Sequence, residues 1–124
     1  MSAQSRRDIE VVAEAITLEK VKKRVTAGQP GFGEFTFDAD EGTYMPGGEG
    51  SAPTPLTYFV SGVALCLLSH VTEIATKLKV TLHEPRVSTR AFFHEEGSVL
   101  KGDKSGACDG FEITEADVNN LADW

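Results

Sequence analysis

Two cysteines and three histidines carry most of the chemistry open to this sequence, and one pair stands out by spacing. Cys66 and His70 lie four residues apart inside the run Leu56 to Val71, LTYFVSGVALCLLSHV. On a helix that spacing puts both side chains on one face, with Cβ atoms about 6 Å apart, so an imidazole can pair with a thiolate. The anion is the form that reacts. A free cysteine titrates at about 8.5, and a cation or a helix N-terminus must favour the charged sulfur if it is to attack at neutral pH. Cys66 falls about three turns into the expected helix, beyond the reach of the helix dipole, so the cation has to come from a side chain. The same residues also suit a packed interior, Cys66 as a small hydrophobe and His70 as a hydrogen-bonded core histidine.

The remaining candidates offer less. His83, His94 and Cys108 fall on later segments, and no second pair has zinc-ligand spacing, so no metal site is expected. Cys108, between Gly106 and Gly110, reads as structural. Gly47-Gly48-Glu49-Gly50 lacks the lysine and the strand-to-helix context of a phosphate-binding loop, which leaves a flexible loop leading into a helix. Lys20, Lys22, Lys23 and Arg24 form the one basic cluster, flanked by Glu14 and Glu19, and suit a solvated face. With a net charge of −7, the chain is not expected to bind nucleic acid or an acidic membrane.

The elements that must position these groups follow from periodicity. Asp8 can cap a helix over about residues 8–18, with Ile9, Val12, Ala13 and Ile16 on one stripe. Val21 to Ala27 alternates as a half-buried strand, Gln29-Pro30-Gly31 is a turn, and Gly33 to Asp40 is the partner strand with Phe35 and Phe37 inward. Residues 42–53 are rich in Gly and Pro and form a loop. Thr54-Pro55 is a hydroxyl cap followed by proline at the first helical position, and opens a helix to about Lys79 that is apolar all round as far as Val71. Gly62 in mid-helix suggests that another element, such as a second helix, packs closely there. Strands are expected at 80–83, 87–94, 98–101 and 107–113. Thr114-Glu115-Ala116-Asp117 resembles a capping box opening a C-terminal helix that the chain cuts short.

One soluble domain over residues 1–124 accounts for this order, in a chain 40% hydrophobic and 25% charged. The apolar run Leu56–Val71 is shorter than the ~20 residues of a membrane span and carries Ser61, Ser69 and His70, so a buried helix is the expectation. The start MSAQSRRDIE has no apolar leader region, and two isolated cysteines are expected to be reduced thiols in the cytoplasm.

The run GGEGSAPTPLTYFVSGVALCLLSHVTEIATKLKV, followed by FFHEEGSVLKGDKSGACDGFEI, resembles the OsmC/Ohr family, the osmotically inducible protein C and organic hydroperoxide resistance proteins. The likeness spans roughly residues 20 to 113 and is sharpest in the Gly-rich loop, in Pro-Thr-Pro-Leu and in Gly62 four before Cys66. It implies an α+β fold, curved antiparallel sheets around a long central buried helix, and an intertwined homodimer with its sites at the subunit interface. It also implies thiol-based reduction of organic hydroperoxides without metal or bound cofactor. Cys66 falls at the family's peroxide-attacking cysteine, and Arg24 at an arginine that the N-terminal sheet supplies to it. The family's glutamate is replaced in the region of Leu56 and Thr57, and Cys108 does not match the second, resolving cysteine. Regeneration would then need an external thiol, while a non-catalytic dimer binding a small hydrophobic ligand is the alternative.

Overall fold

Residues 12–17 fold as a strand, not as part of the amphipathic helix that their apolar spacing suggests. In the computed structural model, which describes residues 6–117 and 122–123, β1 (Val12–Thr17) pairs antiparallel with β2 (Lys23–Gln29), from Thr17 opposite Lys23 to Val12 opposite Gly28. A helix this short is marginal alone, whereas a partner strand satisfies the backbone, and Val12, Ile16 and Thr17 suit a pleated surface. Lys20 takes a left-handed φ of 56° in the connecting turn, which closes with Leu18 N–H donating to the Lys22 carbonyl at 2.8 Å.

β2 pairs in turn with β3 (Gly33–Ala39), as the Pro-Gly turn predicts. Phe32 N–H donates to the Gln29 carbonyl at 2.8 Å, with Pro30 at the second turn position and Gly31 at φ +87°, a type II turn. The register puts Ala13, Ala27 and Phe35 in one row and Ala15, Val25 and Phe37 in the next, on one face of the sheet. The parity of the phenylalanines is as expected but their burial is not, for Phe35 is 69% exposed. Residues up to Thr57 form one compact unit and those from Tyr58 another.

Between β3 and the helix, residues 40–53 form a closed loop rather than a loose linker. Its ends meet where Asp40 N–H donates to the Pro53 carbonyl at 3.2 Å. α1 (Pro55–Lys77) starts as the cap predicts, Thr54 Oγ1 accepting from Thr57 N–H at 3.1 Å. It ends two residues earlier than expected in a Schellman motif: Val80 N–H donates to the Ala75 carbonyl at 2.8 Å and Lys79 N–H to the Thr76 carbonyl at 3.2 Å, with Lys79 at φ +58°. Within this chain the helix is not the buried element expected. Ala75 is the one α1 residue buried among the described residues, and Leu65 is 65% exposed. A helix apolar on every side needs cover on every side, and the described residues do not supply it. By length and composition α1 could also cross a membrane, a property it shares with core helices of soluble proteins.

The second unit holds β4 (Pro85–Glu96), β5 (Ser105–Asp117) and the short β6 (Ala122–Asp123), in the order β4-β5-β6, all antiparallel. Along β4, Val87, Thr89, Ala91 and Phe93 are half-buried while Ser88, Arg90, Phe92 and His94 face water, the alternation the sequence displays. Residues 98–101 are not the strand expected. Gly102 N–H donates to the Val99 carbonyl at 3.1 Å, and Asp103 Oδ1 accepts from Ser98 N–H at 2.8 Å, so they form a turn. Residues 114–117 are likewise strand, not a helix start, because β4 offers partners as far as Pro85 opposite Asp117. Residues 118–121 and 124 of the expected C-terminal helix lie outside the described residues. The described residues thus form an α+β arrangement of two antiparallel sheets and one helix.

Candidate functional site

Cys66 sits at the midpoint of α1 as a free, exposed thiol. A midpoint gains nothing from the helix dipole, which acts over the first and last turns, so any stabilisation of its thiolate must come from side chains. His70, one turn further on, is also exposed, and the helical spacing puts the two on one face. The packed-interior reading of both residues therefore finds no support among the described residues. The more covered stripe of α1 runs through Val60, Val63, Leu67, Val71 and Ala75, and Cys66, Ser69, His70 and Glu73 lie on the more exposed side. A Cβ added at Gly62 would meet nothing within 4 Å, so no helix among the described residues packs there.

Arg24 belongs to the first unit, and its guanidinium is held by Asp38, directly opposite across β2 and β3. Nε donates to Oδ1 at 2.8 Å and Nη2 to Oδ2 at 3.1 Å, a two-pronged pair in which each partner favours the other's charged form. The hydrogen bond from Arg24 lowers the Asp38 pKa, and the bond to Asp38 raises that of Arg24. The planar fork is thus held in one orientation across the two strands.

The rest of the basic cluster is likewise matched by carboxylates. Glu49 receives Lys20 at 2.6 Å and Lys22 at 2.8 Å on its two oxygens, and Lys23 reaches Glu41 at 3.1 Å. Hydrogen bonds from Lys20 and then Lys22 lower the Glu49 pKa. These pairs tie the Gly-rich loop to the β1–β2 turn, so the run Gly47–Gly50 is occupied with its own fold.

The centre of that loop is a residue that periodicity did not single out. Asp40 is fully buried, and its carboxylate accepts from Glu41 N–H at 2.8 Å, Glu49 N–H at 3.3 Å, Ser51 N–H at 3.1 Å and Ser51 Oγ–H at 2.8 Å. The Ser51 hydroxyl, then its backbone N–H, overcome the cost of burial and hold the Asp40 pKa down to about 2. An aspartate just before a Gly-rich loop, with a serine at the loop's far side, is the signal that could have found it, since Asp side chains fold loops by accepting backbone N–H bonds.

Elsewhere in the second unit, a β-bulge at Phe92/Phe93 leaves Asp109 as the extra residue, and its carboxylate reaches His94 Nδ1 at 2.7 and 2.9 Å. Cys108 is exposed opposite Phe93, its Sγ 3.9 Å from the Gly110 carbonyl oxygen. Among the described residues no group of three or more His, Cys, Asp or Glu is placed to hold a metal ion. Near the end of α1, Val71, Ile74, Ala75, Leu78, Val80, Leu82 and Glu115 line an apolar cavity of ≈ 260 Å³. Comparison with protein-family models, with curated proteins and with solved structures finds no match for the chain.

Proposed function

We propose that this chain is an OsmC-like protein that reduces organic hydroperoxides through Cys66. The observation that carries the reading is the free, solvent-facing thiol at the midpoint of a long apolar helix, with His70 one turn on. The Cys66 thiolate attacks the outer oxygen of the hydroperoxide, the O–O bond breaks, and the alkoxide leaves and takes a proton as the alcohol. Sulfur is oxidised to the sulfenic acid. One external thiol then condenses with the sulfenic acid and releases water, and a second displaces the mixed disulfide to restore Cys66. Arg24 is the proposed cationic partner of the thiolate, with Asp38 setting the plane of its guanidinium.

The working form is a homodimer in the cytoplasm, where thiols stay reduced. Support for self-association comes from burial. Ala39 and Ala75 are the only buried apolar residues described, while Phe35, Leu65 and Ile74 face water. Each large apolar side chain withdrawn from water contributes about 1.5–3 kcal/mol, so a covering surface is strongly stabilising.

A second reading is a non-catalytic dimer that binds a small hydrophobic ligand, and the apolar cavity at the end of α1 favours it. Treating the reduced protein with one equivalent of an organic hydroperoxide separates the two. Oxidation of Cys66 supports the first reading, and an unmodified thiol in a protein that still binds apolar ligands supports the second.

A further inference from the structure

We draw no further inference here: the strongest candidate, the exposed apolar face of the N-terminal sheet where Phe35 and Phe37 stand beside Ala13, Ala15 and Ala27, falls within the self-association already proposed, and nothing in the structure shows what covers it.

Discussion

Ser51 meets the buried carboxylate of Asp40 twice on the same oxygen, its hydroxyl donating to Oδ2 at 2.8 Å and its backbone N–H at 3.1 Å. Two more backbone N–H groups, from Glu41 and Glu49, complete the set, so one side chain organises a loop with little apolar material of its own. Replacing Asp40 by Asn puts a donor where donors already converge and removes the charge they favour. The expected result is a drop of several degrees in thermal midpoint, with a smaller drop for Ser51→Ala, which keeps the backbone bond. Equal midpoints for wild type and Asp40→Asn would contradict the assignment.

The same carboxylate sets an acid limit. Its pKa is held down to about 2 in the folded chain, below the ordinary aspartate value of 3.8, so the unfolded chain binds the proton more readily. The stabilisation is complete above the unfolded value, and it fades as pH falls from about 4 towards 2. Asp38 and Glu49 are shifted in the same direction, but they lie in solvent-screened pairs and add less. Urea unfolding of wild type and Asp40→Asn across this range should give curves that converge at low pH. A gap that stays constant with pH would mean the carboxylate does not titrate as described.

Lys79 ends α1 in a left-handed conformation that glycine adopts more easily. Lys79→Gly is expected to stabilise the chain by about 1 kcal/mol, less a few tenths for the lost cation near the helix C-terminus. Denaturant titration reads this directly, and a destabilised variant would show that the Lys79 side chain makes a contact worth more than its backbone strain.

Gly28 is the reverse case. A Cβ there would run into the Gly33 carbonyl oxygen and fall 2.9 Å from Glu34 Cα, both backbone atoms. Gly28→Ala must push the strands apart and is expected to cost about 1–3 kcal/mol. Unchanged stability would show that the β2–β3 hairpin is looser than its register implies.

Local signals were the legible part of this fold. Thr54 and Pro55 mark the start of α1 because a cap and an N1 proline act within one turn. Pro30-Gly31 marks the β2–β3 turn because the required φ values belong to those residue types. The alternation from Val87 to Phe93 marks β4 because one face is covered. What failed depended on distant partners. Val12–Thr17 has helical spacing yet pairs with β2, and Thr114–Asp117 has a capping pattern yet continues a ladder with β4. The exposure of Cys66 was equally hidden, since an apolar run reports a need for cover and not whether the chain itself provides it. Arg24 was legible as a candidate, but its pairing with Asp38 required the β2–β3 register.

That pairing yields a prediction about reactivity. If Arg24 stabilises the anionic sulfur, Arg24→Ala should slow oxidation of Cys66 by roughly tenfold or more. Arg24→Lys should recover part of the rate, since it keeps the charge and loses the fork. Stopped-flow measurement of hydroperoxide consumption reads both. Wild-type rates in both variants would remove Arg24 from the mechanism and leave His70 as the candidate partner.

The most direct test of the central claim is the mass of the Cys66 peptide after the reduced protein meets one equivalent of an organic hydroperoxide. The account predicts gain of one oxygen atom on Cys66, trapped by a sulfenic-acid reagent and reversed by excess thiol, with Cys66→Ser folded but unreactive. Consumption of hydroperoxide by Cys66→Ser at the wild-type rate, or a Cys66 peptide that stays unmodified, would contradict it.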